Sequence, residues 1–272
     1  MGVTQALEEL VGRSRPQATA GVRGSRRALR PVPAGYQEVV FDRVVKFGEL
    51  HPGDPALEVG CGTGRATLPL AARGLLVTAL EPSPEMARVA RQKTRELVGV
   101  RVEEASFEDW ALPREPLRLV TSAQAWHWVR PEVRFIKARE ALGDRDCLAF
   151  FWNSALNQGH TNSGLEEAIK DVYRREVPHL AAGVPGEVDV DRRLEIAASG
   201  LFVDLIREDY PWSTTYTATR SLGLLQAQSD QRLLEPAARG RLLDGLAAVL
   251  AAHGDAIDQS YCTCLYLARR HA

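Results

Sequence analysis

The densest chemistry in the chain lies in Ala56-Leu57-Glu58-Val59-Gly60-Cys61-Gly62-Thr63-Gly64-Arg65: an apolar run carrying one carboxylate, then glycines at every second position. Glycine tolerates positive φ and has no Cβ, so such a turn lets a ligand lie directly against the backbone. The spacing is not the G-x-G-x-x-G of a pyrophosphate-binding turn, because Arg65 stands where the third glycine would be. Glu58, two residues before the first glycine, would repel a pyrophosphate and attract an ammonium group. Glu81 ends a second apolar run. An acid at that place can accept hydrogen bonds from both ribose hydroxyls. Together these residues call for a nucleoside with a cationic amino-bearing tail and no phosphates.

S-adenosylmethionine has that chemistry and is the expected cofactor. A tight strand–helix turn without a ligand and a nicotinamide-binding turn are the rival readings of the same segment. Further along, Trp126-His127-Trp128 follows a fourth apolar run, and Trp152-Asn153 ends a fifth. His127 is a candidate general base, its titration falling near neutrality; a structural hydrogen bond that shapes the pocket is the alternative. Alternation along the chain predicts that Trp126 and Trp128 face similar sides, one in the core and one on a pocket wall. Asn153 either orients a polar acceptor or caps the helix that follows. Tyr210, Trp212 and Tyr216 form an aromatic cluster of core or substrate-wall type. Cys262 and Cys264 put two thiols on one side of a strand with no second pair of ligands, so no metal is expected. Cys61 is a small neighbour of the cofactor, with nothing to mark it as a nucleophile.

The elements that must position these residues follow from periodicity. Val39, Val40, Val44, Phe47 and Leu50 predict a helix over 36–50. Short continuous apolar runs at 56–59, 75–80, 98–102, 117–122 and 147–152 predict strands buried on both faces. Helices alternate with them, including 84–96, which starts at Ser83-Pro84, and 131–142. This alternation predicts an α/β fold: a doubly wound, mostly parallel sheet. Later strands are expected at 203–206 and 261–268, with helices at 165–175, 193–199, 221–228 and 236–253.

Taken together, these motifs resemble the class I S-adenosylmethionine-dependent methyltransferases. Glu58–Gly64 is similar to their first motif, Glu81-Pro82-Ser83-Pro84-Glu85-Met86 to their second, and Phe107-Glu108-Asp109-Trp110 to the start of their adenine-binding loop. Ser122–Trp128 resembles the fourth-strand segment of a bacterial small-molecule branch, the trans-aconitate methyltransferase-like proteins. The resemblance implies a seven-stranded Rossmann-like methyltransferase sheet with helical cap insertions near 154–195 and 212–258. It implies that Glu58, Gly60, Cys61, Gly62 and Gly64 surround the methionine end, that Glu81 binds ribose beside Pro82, and that Met86 packs near adenine and ribose. Ser106, Phe107 and Glu108 would flank adenine, Ser106 standing where many relatives carry Asp; Ala123 and Gln124 would line the methionine portion. Arg30-Pro31-Val32-Pro33-Ala34-Gly35-Tyr36 is similar to a segment that relatives place over the cofactor, which makes Tyr36 a candidate at the methyl-donor region. Methyl transfer is the implied activity, with His127, Tyr36 and Asn153 as candidate catalytic residues. A non-methylating reaction on the same cofactor, a nicotinamide-dependent oxidoreductase and a non-catalytic binding module are the rival functions.

Composition narrows the partners. The 272 residues carry 34 basic and 35 acidic side chains, a net charge of −1, which supplies no field to gather nucleic acid. No run approaches the length of a membrane span, the N-terminus has no signal-peptide pattern, and four cysteines are too few for a disulfide framework. A cytoplasmic monomer or homodimer acting on a small molecule, away from nucleic acid and membrane, is the expectation. Residues 1–35 hold six Arg and little large apolar content, and read as a mobile arm or lid. Residues 36–153 then form the cofactor core, and 154–272 complete the sheet and carry the cap insertions.

Overall fold

β1 (Pro55–Val59) runs through the middle of a seven-stranded sheet, buried along nearly its whole length. The computed structural model describes residues 35–155, 163–181, 192–226, 234–254 and 257–272; the expected arm and Arg30–Ala34 lie outside them. Strand order is β3-β2-β1-β4-β5-β7-β6, with β2 at Leu76–Leu80, β3 at Val100–Glu103, β4 at Leu117–Ala123, β5 at Leu142–Ala155, β6 at Phe202–Tyr216 and β7 at Ile257–Arg270. β1 to β5 are mutually parallel; β7 is antiparallel to both β5 and β6. The order reverses direction at β1, between β2 and β4, and the crevice beyond the carboxyl ends there is where open α/β sheets bind ligands.

Both faces of the sheet are covered, as the unbroken apolar strands require. One face packs against α1 (Glu38–Gly48), through Val40, Phe41, Val44 and Phe47, and against α2 (Thr67–Ala72) through Leu70. α3 (Pro84–Thr94) joins this layer through Ala90; Ser83 caps its N-terminus on the Met86 N–H, with Pro84 at the first helical position. The other face packs against α4 (Pro131–Ala141) and α7 (Arg193–Ser199), through Phe135, Ala138 and Ile196. Full burial of each large apolar side chain contributes about 1.5–3 kcal/mol. α5 (Ser163–Glu176) and α6 (Pro178–Ala181) precede α7, and α8 (Ala218–Gln226) and α9 (Pro236–Ala252) precede β7. α5 and α9 share an apolar cluster of their own around Val172, Val177, Leu242 and Leu246. Among the described residues no helix is long and apolar enough to cross a membrane.

Several sequence expectations shift. Val39 is 48% exposed, and Phe41 takes its place on the buried face of α1. Val98 is fully exposed in the turn before β3, which starts at Val100. β5, β6 and β7 are far longer than their apolar runs, because antiparallel neighbours pair residue by residue from Cys147 to Ala155 and from Ile206 to Tyr216. From Asp209 onward the long edge strand β6 alternates exposed and half-buried positions and so presents no apolar run to read. It carries Trp212–Tyr216 as strand, where a cap insertion was expected to begin.

Candidate active site

The turn after β1 is built by its glycines. Gly60, Gly62 and Gly64 all have positive φ (71°, 58° and 81°), and a Cβ on Gly60 would collide with the Ala125 methyl. The turn is fastened to the end of β2: Cys61 N–H donates to the Leu80 carbonyl at 2.8 Å, and Gly62 N–H to Glu81 Oε2 at 2.8 Å. The other Glu81 oxygen accepts from Ser83 N–H at 2.9 Å. Glu81 thus braces both the glycine turn and the start of α3, with Pro82 exposed and Met86 partly buried beside it. The Met86 sulfur lies 4.0 Å from where a Gly62 Cβ would stand.

Glu58 is buried beneath the turn and accepts a 2.5 Å hydrogen bond from Thr67 Oγ1, the first residue of α2. Burial is the main reason its carboxyl is pushed up, to about 7; the Thr67 bond opposes this and the nearby Glu81 charge adds to it. Two buried acids therefore flank one glycine turn. Their combined field favours a cation and disfavours phosphate. Burial, followed by the charges of Glu58 and Glu81, also pushes the Cys61 thiol far up. It is no nucleophile in this setting.

After β4, Gln124 takes a left-handed conformation (φ 61°). Its N–H donates to the Phe151 carbonyl, and its side-chain amide to the Asn153 carbonyl at 3.1 Å. Ala123 precedes it, partly buried. Trp126–Trp128 is one turn of 3₁₀-helix rather than a strand, so alternation does not apply there. Trp126 is buried and stacks on Phe150 at 5.3 Å, whereas Trp128 is 76% exposed. The two tryptophans do not face similar sides. Exposed His127 accepts a hydrogen bond at Nδ1 from Trp152 Nε1, 3.2 Å away.

Trp152 and Asn153 are consecutive on β5 and point to opposite faces. Trp152 belongs with the α4 face; Asn153 turns to the α1 face, where Thr263 Oγ1 donates to its Oδ1 at 2.6 Å. Asn153 caps no helix, since β5 continues to Ala155. Tyr36 is on the Asn153 side, edge-on to Phe151 at 4.8 Å and to Phe41 at 6.2 Å. Burial, and then the Glu58 charge, raise its hydroxyl well above the usual tyrosine value. The structure thus brings Tyr36, Glu58 and Asn153 to one face of the sheet and leaves His127 with Trp152 on the other.

The adenine-side residues are placed as follows. Ser106 Oγ donates to Asp109 Oδ2 and accepts the Asp109 N–H, closing a turn. The Phe107 ring is buried in the core, 6.1 Å from Trp126. Glu108 accepts from Arg130 N–H at 2.9 Å and is thereby tied to the start of α4.

Residues that sequence reasoning underused also converge. Trp212 stacks on Tyr261 at 4.6 Å and donates to Thr263, extending the Asn153 chain. Asp209 comes within 4.8 Å of Cys262 and Cys264. There Arg207 already supplies the positive charge, bonding both Asp209 oxygens and reaching the Cys264 sulfur, and burial is the first cause pushing both thiols up. Pairing between β6 and β7 brought these groups together, and no spacing rule announces that.

A sheet of this order, with a glycine turn after β1 and an acid at the end of β2, defines a class I S-adenosylmethionine-dependent methyltransferase domain. Residues 56–142 match the family model described as methyltransferase domain. An uncharacterized methyltransferase of Mycobacterium bovis is 29% identical over 198 residues, 72% of this chain and 73% of the relative. A malonyl-[acyl-carrier protein] O-methyltransferase of Serratia marcescens is 43% identical over a shorter 60 residues, 22% of this chain and 24% of that one. Among solved structures, a protein provisionally described as a type II methyltransferase from Anaeromyxobacter dehalogenans superposes with a TM-score of 0.60 at 20% identity, covering 89% and 98% of the two chains, and shares the fold. Residues 56–142 carry a methyltransferase domain, and the sheet as a whole shares the fold of a methyltransferase structure.

Proposed function

We propose that the protein transfers a methyl group from S-adenosylmethionine to a small-molecule acceptor. The pair of buried acids across the glycine turn carries this reading: Glu58 and Glu81 suit an ammonium and a ribose, and reject a pyrophosphate. Glu58 would meet the ammonium, which restores its charge. Glu81 has lone pairs beyond those given to Gly62 and Ser83 for the ribose hydroxyls. Gly60 and Gly62 let the methionine portion lie against the backbone, with Met86 beside the nucleoside. Bound there, the sulfonium supplies an activated methyl carbon.

The protein's task is then alignment and water exclusion. Tyr36, Asn153 and the Gln124 turn would orient the acceptor. His127 supports it differently. With Nδ1 accepting from Trp152, the neutral ring carries its proton on Nε2. Its Nδ1 lone pair is therefore engaged, which argues against a general base at that atom.

The net charge of −1 favours a small acceptor over a polyanion. Calorimetry with S-adenosylhomocysteine and with NADH is the direct test, followed by transfer of labelled methyl from the cofactor into a metabolite extract. Binding of the first ligand alone, with label appearing in a small product, is the expected result. Binding of NADH, or label confined to macromolecules, would overturn the reading.

A further inference from the structure

A row of polar side chains crosses the antiparallel part of the sheet. Trp212 is on the edge strand β6, Thr263 on β7 and Asn153 near the carboxyl end of β5, directly opposite Thr263 in the ladder. Trp212 Nε1 donates to Thr263 Oγ1 at 3.0 Å, and Thr263 Oγ1 donates to Asn153 Oδ1 at 2.6 Å. Chemistry fixes the direction of this chain. An indole N–H can only donate, so the hydroxyl accepts from Trp212 and keeps its one proton to give. Thr263 is fully buried, so that proton must go to a protein acceptor, and among the described residues Asn153 Oδ1 is the one it reaches. The short separation is that of an O–H···O bond rather than an N–H···O bond. Trp212 is itself held by stacking on Tyr261, with ring centres 4.6 Å apart and planes 20° from parallel.

With its oxygen committed to Thr263, Asn153 turns its amide nitrogen away from β7. On that other side β4 has already ended: the last β4–β5 pair is Ala123 with Phe151, and the chain then turns at Gln124. Gln124 Nε2 donates to the Asn153 carbonyl at 3.1 Å, which fixes the backbone there as well. The next residue, Ala125, lies against Gly60 of the glycine turn. Asn153 is half-buried, and among the described residues its Nδ2 has no acceptor. An amide NH2 gives hydrogen bonds and takes none, so it matches an oxygen lone pair and mismatches an N–H or an ammonium. We propose that Trp212 and Thr263 are positioning residues that hold Asn153 as a hydrogen-bond donor to the methyl acceptor, so that the acceptor carries a carbonyl or carboxylate oxygen at this point. This rests on the methyl-transfer reading and deepens it by naming the acceptor class. The amide takes no proton, so Asn153 orients the acceptor and does not deprotonate it.

The test uses the full chain saturated with S-adenosylhomocysteine and titrated with acetophenone, benzoate and isopropylbenzene, the last matching acetophenone in shape without its oxygen. At least one oxygen probe should bind about threefold to tenfold more tightly than isopropylbenzene, the scale of one hydrogen bond. Which probe is preferred separates a neutral carbonyl from a carboxylate acceptor. The same probe should shift the Asn153 side-chain NH2 resonance of the unaltered protein, and isopropylbenzene should not. Asn153→Leu, of similar shape with no donor, should abolish the preference. Thr263→Val should reduce it, because the amide is then free to turn, and Thr263→Ser, which keeps the hydroxyl, should restore it. Oxygen probes that bind no better than isopropylbenzene, or that leave the Asn153 NH2 resonance unmoved, would overturn the proposal. So would a preference that survives Asn153→Leu, or one that Thr263→Val leaves whole. A folded Asn153→Leu that loses S-adenosylhomocysteine affinity by about tenfold or more would also overturn it, assigning the NH2 to the cofactor. Failure of the underlying methyl-transfer reading is separate, since the unaltered protein would then not bind S-adenosylhomocysteine at all.

Discussion

Replacing Glu58 by glutamine probes the most unusual electrostatic feature of the site. The Glu58 carboxyl is buried and its pKa rises from an ordinary 4.5 to about 7. At 1.36 kcal/mol per unit, that shift corresponds to about 3 kcal/mol of differential stability. A carboxyl that holds its proton more tightly when folded makes the native state bind more protons than the unfolded chain between these two values. Its contribution is therefore complete below about 4.5, declines as pH rises through about 7, and is flat above. The Glu58→Gln variant has no such titration at this position. Its side-chain amide can still accept from Thr67, so the geometry at the start of α2 is retained. Urea unfolding of the ligand-free protein and of Glu58→Gln between about pH 5 and 8 should show the stability difference moving toward the variant by about 2–3 kcal/mol. A difference that stays flat across that range would refute the burial argument. Ligand binding gives the complementary signal. An ammonium beside Glu58 favours the ionised form, so S-adenosylhomocysteine affinity should rise with pH below about 7, by up to about tenfold per unit, and Glu58→Gln should lose this dependence.

Other expectations can be checked with the same protein. Glu81→Ala removes the acceptor of the Gly62 and Ser83 N–H groups as well as the proposed ribose contact, and should weaken S-adenosylhomocysteine binding about 10- to 100-fold by calorimetry, the loss of ~1.5–3 kcal/mol of charge-assisted bonding. His127→Gln should lower activity without changing the shape of the pH–rate profile, because the Nδ1 lone pair is engaged by Trp152; loss of an acidic limb would restore His127 as the base. Trp126→Ala should destabilise the fold by about 3–5 kcal/mol and Trp128→Ala by no more than about 0.5, measured as urea midpoints at equal m.

Legibility in the sequence followed the physics of each segment. The parallel strands β1, β2 and β4 are buried on both faces, so they are written as continuous apolar runs and their ends were readable to within a residue or two. The glycine turn was readable because only glycine tolerates that backbone beside Ala125. The antiparallel part was much less so. β6 alternates polar and apolar positions, and its length depends on a partner more than 40 residues away in the chain. Trp126-His127-Trp128 misled for a related reason: alternation puts its two tryptophans on similar sides, but the chain coils there for a single 3₁₀ turn and separates the two rings.

Residue types and local spacing alone determined the parallel core, the glycine turn, the acids on either side of it, and hence the cofactor to be sought. These are properties of contiguous segments, in which a carboxylate's distance from a glycine is set by a few peptide bonds. Which side chains share a face was decided only by the tertiary structure. One step along β5 sends Trp152 toward His127 and Asn153 to the Tyr36 face, and the pairing of β6 with β7 stacks Trp212 on Tyr261 and joins it to Asn153 through Thr263. The cofactor end of the site is local in sequence. The proposed acceptor side draws on Tyr36, Gln124 and Asn153, which lie far apart in the chain, and no local pattern could encode it.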